Sequence, residues 1–182
     1  MHESSRPIAP QPRWPDFLLI GAPKAGTTAL YRALGRHPRI FLPEWKEPMY
    51  FHFAGTRPRL AGPGARGYER TFLHDEKAYL DLFAPCPPGF VTGDASTLHL
   101  GSERAPARAA RCIPRARLVA ILRHPVERAY SQFLHLRQEG NEPCVDFEAA
   151  WNDGDRRIEE GWVAGSAYRS LGFYGRSLER WM

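Results

Sequence analysis

The residues best suited to do chemistry lie in a glycine-bounded stretch near the start of the chain, GAPKAGTT, residues 21–28. An apolar run, Phe17–Ile20, precedes it, and a helical pattern follows from Thr27 to Gly35. A strand, a glycine-rich turn and a helix N-terminus in this order direct several backbone N–H groups and the positive end of a helix dipole at one point. The stretch therefore predicts a loop that binds an anion.

The position of the lysine in this loop argues against an ordinary nucleoside triphosphatase. A Walker A loop has its lysine directly after the second glycine, followed by a Ser or Thr that binds magnesium. Here Thr27 occupies that place and Lys24 comes before Gly26. Lys24 can instead reach the bridging oxygen between a 5′-phosphate and a group in transfer, where negative charge grows as the bond breaks. A metal-dependent nucleotide kinase or NTPase is kept as an alternative.

A second strand-to-helix junction carries residues suited to phosphate binding. In LVAILRHPVERAYSQFLH, residues 118–135, an apolar run ends at Arg123, and a helix is predicted from Pro125 to Glu139 with Ser131 on it. The planar guanidinium can donate two charge-assisted hydrogen bonds to phosphate oxygens, and a serine can add a third. The simpler alternatives are an ion pair between Arg123 and Glu127 and a solvated serine.

These two motifs together resemble the sulfotransferases that use 3′-phosphoadenosine 5′-phosphosulfate (PAPS). GAPKAGTT is similar to the family's 5′-phosphosulfate loop, and the second motif to its 3′-phosphate-binding strand and helix. The resemblance implies PAPS as the donor and no required metal. It also implies a set of donor-binding residues: Lys24, Ala25, Gly26, Thr27, Thr28, Arg123 and Ser131.

A third segment bears on the acceptor and the catalytic base. LPEWKEPMYFHF, residues 42–53, resembles the KEP-aromatic segment of heparan sulfate and related carbohydrate sulfotransferases. That resemblance implies that Glu47 is the general base and that Lys46 contacts the donor or the acceptor. The simpler alternative is that both residues are surface charges. Glu44 is a nearby competitor for the role of base. The similar segment GDASTLHL implies that Asp94, Ser96 and Thr97 line the acceptor channel. Cytosolic phenol and steroid sulfotransferases use a histidine base, and its only counterpart here is His99, which we interpret as an ordinary loop histidine.

The strands and helices that position these residues indicate an α/β chain with a P-loop-type three-layer fold. In this fold helices flank a central, mostly parallel sheet. Strands are predicted at 17–20, 39–43, 89–96 and 118–122, and helices at 27–35, 75–84, 103–112, 125–139, 146–152 and 172–181. Asp75 and Asp146 are predicted N-caps. The loop 54–68 is either a lid or a disordered insertion. The apolar face of the 125–139 helix should pack on the sheet; it comprises Val126, Ala129, Tyr130, Phe133, Leu134 and Leu136.

Composition limits the class of protein but does not identify its ligand. A net charge of +5 over 182 residues favours an anionic partner, but nucleic-acid binding has only this charge behind it. We expect no membrane span, because no apolar run approaches about 18 residues. The three cysteines have no metal spacing and predict neither a disulfide framework nor a zinc site.

The ends of the chain give further expectations. Residues 1–15 are predicted to be a flexible leader, and the absence of a signal-peptide core favours a cytoplasmic protein. The sulfotransferase domain is predicted at residues 16–182 and is expected to be incomplete at its C-terminus, because the chain stops within a helical pattern. The predicted reaction is sulfuryl transfer to a hydroxyl, or an amine, of a carbohydrate or small metabolite. A non-catalytic remnant that binds an adenosine nucleotide is the alternative.

Overall fold

The computed structural model describes residues 13–182 and has a four-stranded parallel sheet at its centre. The strands are β1 (Phe17–Gly21), β2 (Ile40–Phe41), β3 (Val91–Ala95) and β4 (Arg117–Ala120), in the order β2-β3-β1-β4. Both neighbours of β1 run parallel to it, and Leu18 pairs with Asp94 on one side and with Leu118 on the other. The predicted α/β class and parallel sheet are confirmed.

Helices cover the sheet and connect its strands. They are α1 (Thr27–Leu34), α2 (Tyr50–Phe53), α3 (Ala65–Thr71), α4 (Glu76–Asp81), α5 (Ala105–Cys112), α6 (Pro125–Gln138), α7 (Phe147–Asn152), α8 (Gly154–Glu159) and α9 (Tyr174–Glu179). As predicted, Asp75 caps α4 by accepting from the Ala78 N–H, and Asp146 caps α7 by accepting from the Ala149 N–H, each at 2.8 Å. In residues 13–182 no helix is long and apolar enough to cross a membrane.

One face of the sheet packs on a cluster of aromatic side chains. Leu18 and Ile20 of β1 contact this cluster, in which the rings of Tyr50 and Tyr79 stack with their centroids 4.2 Å apart. Trp14 packs against the same rings, 5.9 Å from each of the two tyrosines. Most of the predicted leader, residues 1–15, lies outside the described residues. Its end, from Trp14, contributes to the core.

The loop 54–68 packs against a distant part of the chain. The Ala61 N–H donates to the Gly161 carbonyl at 2.8 Å. Gly62 lies so close to Trp162 that a Cβ on it would come within 2.4 Å of the indole. The segment then enters α3, which the sequence did not predict, because Gly67 within it and the Gly-Pro-Gly stretch before it are typical of a loop. Residues 54–68 therefore form a packed connection rather than a disordered insertion.

Helix α6 differs from the prediction in what its apolar face contacts. Ala129, Phe133 and Leu136 are buried, but they pack with Tyr168 and α7 in a separate cluster rather than on the sheet. Val126 and Tyr130 are about half exposed, and so is Leu134. The predicted packing was wrong because helical periodicity shows which residues share a face but not which element meets that face.

Candidate active site

The predicted anion-binding loop lies between β1 and α1. Gly26 is the N-cap of α1 with φ of +98°, and Lys24 has φ of +63° within the loop. No side chain caps α1 and no acidic residue lies in its first turn. The first-turn N–H groups, at the positive end of the helix dipole, are therefore available to an anion.

Gly21, the first glycine of the motif, is required by a close approach. Its φ is +146°, and a Cβ at this position would lie 2.5 Å from the Thr97 carbonyl oxygen. A side chain is excluded both by backbone strain and by this contact. The close approach also shows that the turn after β3 lies beside the donor loop.

The two predicted phosphate-binding motifs meet at the carboxyl end of the sheet. The Ala22 N–H donates to the Ile121 carbonyl at 2.6 Å, and the Ile121 N–H donates to the Gly21 carbonyl at 2.8 Å, which extends the pairing of β1 and β4 into both loops. Beyond this point the Arg123 guanidinium donates to the Lys24 carbonyl at 3.4 Å. Two stretches about 100 residues apart thus lie side by side at this edge of the sheet.

The Arg123 side chain remains accessible to a ligand. It is 42% exposed and pairs with Glu127 one helical turn along α6, with Nε 3.2 Å from Oε2. An exposed pair of this kind stabilises by about 1 kcal/mol or less, so a phosphate can replace the carboxylate. Ser131 lies two turns into α6 and is partly exposed. The predicted ion pair is present and is compatible with the predicted phosphate contact.

The Glu47 carboxylate is held firmly at the end of β3. The Thr97 N–H donates to its Oε2 at 2.6 Å, and the Thr97 hydroxyl lies 3.0 and 3.2 Å from the two oxygens. Lys46 Nζ lies 2.6 Å from Oε1. The Glu47 side chain is still 30% exposed. A carboxylate that is fixed in direction yet accessible suits a general base. The competitor Glu44 is exposed and in no ion pair among the described residues.

The backbone that presents Glu47 is strained. Glu47 has φ of +62° and Met49 has φ of +55°, a conformation that side-chain-bearing residues rarely adopt and that costs about 1 kcal/mol or more each. Two hydrogen bonds compensate: the Glu47 N–H donates to the Ala95 carbonyl at 3.1 Å, and the Met49 N–H donates to Ser96 Oγ at 3.0 Å. Strain concentrated at one turn is typical of a functional site.

Asp94 and Ser96 brace this turn and do not line an open channel. Asp94 is 2% exposed, and its two oxygens accept from the Ser96 hydroxyl at 2.7 Å and the Tyr79 hydroxyl at 2.9 Å. Burial raises the pKa of Asp94 to about 6, although these bonds and the charge of Lys46 act in the opposite direction. The predicted acceptor contacts are thus corrected, because both side chains are buried and already hydrogen-bonded.

His99 is also buried, which argues against a histidine base of the kind that phenol sulfotransferases use. It is 0% exposed, its ring lies edge-on to Phe51 with centroids 5.8 Å apart, and neither ring nitrogen has a hydrogen-bond partner among the described residues. Burial lowers the pKa of His99 to about 4, despite the opposing effect of the Glu47 charge. An imidazole enclosed in this way cannot take a proton directly from an acceptor.

Two contributions to the site were not recognised in the sequence. Thr97 was predicted only as a residue lining the acceptor channel, but it makes most of the hydrogen bonds to Glu47. Tyr174, at the start of α9, donates from its hydroxyl to the Arg123 carbonyl at 2.9 Å and fixes the end of the second motif. Neither role has a local signal. Within residues 13–182 the structure shows no cluster of His, Cys, Asp and Glu that could hold a metal.

Two strand-to-helix loops that meet at one edge of a parallel sheet define the α/β class of the chain. Comparison with known proteins gives the family. The Sulfotransferase family model matches residues 15–174. The chain belongs to the sulfotransferase family. A crystal structure of a sulfotransferase from Alicyclobacillus acidocaldarius has the same fold, with a TM-score of 0.86 and 31% identity, over 93% of this chain and 68% of that one.

Curated relatives are much longer proteins. The chain is 33% identical over 180 residues to the bifunctional heparan sulfate N-deacetylase/N-sulfotransferase 3 of Homo sapiens, and 29% identical over 180 residues to enzyme 1 of the same name from Mus musculus. Each alignment covers 93% of this chain but only 19% and 18% of the relatives. The chain therefore spans about a fifth of their length.

Proposed function

We propose that the protein transfers a sulfuryl group from PAPS to a hydroxyl or amine of a carbohydrate acceptor. The contact between Arg123 and the Lys24 carbonyl carries this proposal, because it joins the two predicted phosphate-binding motifs at one edge of the sheet. A donor with phosphate groups at both its 5′ and 3′ positions needs both motifs together. Membership of the sulfotransferase family supports the reaction class.

In this proposal the donor loop binds and activates the 5′-phosphosulfate. The uncapped N–H groups of Gly26, Thr27 and Thr28 at the start of α1 bind its oxygens. The predicted contact from the Ala25 N–H is corrected, because this group already donates to the Ala22 carbonyl at 3.2 Å. Lys24 stabilises the negative charge that develops on the departing phosphate. Arg123 and Ser131 bind the 3′-phosphate, which would distinguish the donor from nucleotides without one.

Glu47 is proposed to accept the acceptor's proton. Thr97 links the two halves of the site, because its side chain holds Glu47 and its carbonyl lies against Gly21 of the donor loop. This arrangement supports an in-line transfer, in which an acceptor beside Glu47 attacks sulfur held by the loop. Lys46 is proposed to keep the carboxylate oriented while it binds the proton.

The nature of the acceptor rests on the relatives. Their names describe heparan sulfate N-sulfotransferases, and for this chain the corresponding acceptor is a carbohydrate with a free hydroxyl or amine. A small metabolite acceptor stays open, since the described residues form the donor side of the site more completely than the acceptor side.

Donor recognition is tested by calorimetric titration with 3′-phosphoadenosine 5′-phosphate and with AMP. We expect the first to bind at least about tenfold more tightly, and Arg123→Ala to abolish the difference. Glu127→Gln is the matched control: it removes the ion pair but keeps Arg123, and should preserve or strengthen binding. Equal affinities for the two nucleotides in the wild type would contradict the 3′-phosphate assignment.

The base is tested by measuring sulfate transfer from PAPS to de-N-sulfated heparan oligosaccharides. Glu47→Gln should lower turnover by about 10²-fold while nucleotide binding is unchanged. Glu44→Gln is the control and should retain activity. Tight nucleotide binding without transfer to any acceptor would favour the non-catalytic alternative, and magnesium-dependent ATP hydrolysis would favour the kinase alternative.

A further inference from the structure

One buried side chain beside the second phosphate motif has no role in the proposed function. Arg128, on α6, is 0% exposed and is the largest fully buried side chain among the described residues. It forms none of the ion pairs found within residues 13–182. An arginine stays charged when it is buried, and a buried charge without a carboxylate partner is strongly destabilising. A residue that breaks this rule calls for a functional explanation.

The contacts of Arg128 leave part of its guanidinium unsatisfied. Its Nη2 donates to the Tyr168 carbonyl at 2.5 Å, but neither Nε nor Nη1 has a hydrogen-bond partner among the described residues. Burial lowers the pKa of Arg128, and the Tyr174 hydroxyl acts in the opposite direction. The Tyr174 hydroxyl therefore lies close enough to the guanidinium to interact with it.

Tyr174 connects Arg128 to the residue that is proposed to bind the 3′-phosphate. The Tyr174 hydroxyl donates its single proton to the Arg123 carbonyl at 2.9 Å. The lone pairs of the hydroxyl oxygen can still accept from another donor. The unpartnered N–H groups of Arg128 are donors of this kind, and a charged donor strengthens the bond that the hydroxyl itself donates. The three residues thus form one polar chain that ends at the backbone of Arg123.

The segment that carries both tyrosines packs against the start of α6. Two contacts attach it there: Arg128 donates to the Tyr168 carbonyl, and a Cβ on Gly172 would lie 3.2 Å from the Pro125 Cβ. Both contacts involve the first turn of α6, which begins two residues after Arg123. This packing therefore determines where the segment, with its tyrosine hydroxyl, meets the Arg123 carbonyl.

We propose that Arg128 is a positioning residue for the 3′-phosphate, which acts through Tyr174 on the backbone of Arg123. Its guanidinium binds the Tyr168 carbonyl and the Tyr174 hydroxyl. That hydroxyl in turn fixes the Arg123 carbonyl, and with it the direction in which the Arg123 side chain leaves the loop. The uncompensated charge of Arg128 also favours an anion near Ser131, which lies one helical turn further on the same face of α6. The inference rests on the proposed function, because it concerns the same 3′-phosphate site.

The test is calorimetric titration of the full chain and its Tyr174→Phe variant with 3′-phosphoadenosine 5′-phosphate and with AMP. Removing the hydroxyl should reduce the ratio of the two affinities by about three- to tenfold, while the affinity for AMP stays near that of the wild type. Tyr130→Phe is the matched control, because Tyr130 lies on α6 and is 48% exposed. A purely structural role would lower the melting temperature and leave the ratio unchanged.

Arg128→Met tests the buried charge directly, with folding checked by circular dichroism. It should reduce the same ratio by about tenfold or more, since charged donors are lost. Adding Tyr174→Phe to it should cause little further loss, because both residues act through one chain, and fully additive losses would contradict that chain.

The Tyr174→Phe variant decides the question even if Arg128→Met does not fold. A wild-type ratio in folded Tyr174→Phe would overturn this inference and leave the proposed function standing. Equal affinities of the wild type for the two nucleotides would overturn both.

Discussion

Replacing Arg157 by Met should lower the free energy of unfolding by about 3–5 kcal/mol, because it leaves a buried carboxylate without its partner. Arg157 donates to both oxygens of Glu142 at 2.5 and 3.0 Å and to Asp153 at 3.0 Å. The side chains of Arg157 and Glu142 are 3% and 0% exposed, so solvent screens this pair little. Tyr168 also donates to Glu142, at 2.6 Å.

The same pair makes the loss depend on pH. Burial alone would raise the pKa of Glu142, but hydrogen bonds from Arg157, Tyr168 and the Cys144 N–H outweigh it, so the pKa is lowered. A lowered folded-state pKa stabilises the fold above the unfolded value of about 4.3. That stabilisation disappears as the pH falls through the folded-state pKa. The difference between wild type and Arg157→Met should therefore shrink below about pH 4.

Urea unfolding followed by circular dichroism, at pH 7 and at intervals down to pH 3, measures both effects. Arg156→Met is the matched control, because the neighbouring Arg156 is 57% exposed and should contribute about 1 kcal/mol or less. A loss of less than about 1 kcal/mol for Arg157→Met at pH 7 would refute the reasoning. So would a loss that stays constant down to pH 3.

Three further substitutions test the site. Gly21→Ala should reduce stability by about 2 kcal/mol or more in thermal unfolding, and it should weaken the binding of 3′-phosphoadenosine 5′-phosphate. Gly67→Ala in α3 is the control. Nothing lies within 4 Å of a Cβ at that position, so this change should be neutral or stabilising. Thr97→Val keeps the backbone N–H bond to Glu47 but removes the hydroxyl. It should lower turnover by about tenfold and leave nucleotide affinity unchanged. An equal loss of turnover and of nucleotide affinity would argue against a role confined to Glu47. The folded-state pKa of Asp94 is raised to about 6. The wild type should therefore lose roughly 3 kcal/mol of stability relative to Asp94→Asn as the pH rises from about 4 to 6. A pH-independent difference between the two proteins in urea unfolding would contradict this.

Local patterns predicted much of the fold. The buried run Phe17–Ile20, the two aspartate caps and the helix at Arg123's junction each depend on neighbours within a few residues, which a sequence displays directly. The meeting of Arg123 with the Lys24 loop was also predictable. Two parallel strands that end in loops bring those loops to the same edge of a sheet.

The acceptor side could not be predicted in the same way, because its contacts join distant residues. Nothing near Thr97 indicates that its hydroxyl reaches Glu47, 50 residues earlier. Asp94 and Ser96 have the residue types of a polar channel, but the packing of Tyr79 over the strand end buries them. The apolar face of α6 was likewise predicted to pack on the sheet, whereas it packs on Tyr168, which lies far along the chain.

The central place of β1 has a consequence for how the chain folds. Strand β1 precedes both of its neighbours, β3 and β4, along the chain, and Leu18 finds its partners only at Asp94 and Leu118. Loop closure over such distances is slow, so the protein should have a high contact order and a correspondingly low folding rate. Until β3 has left the ribosome, the apolar run of β1 has neither neighbour, and until β4 follows it can pair with β3 alone. During this time the nascent segment is exposed to aggregation.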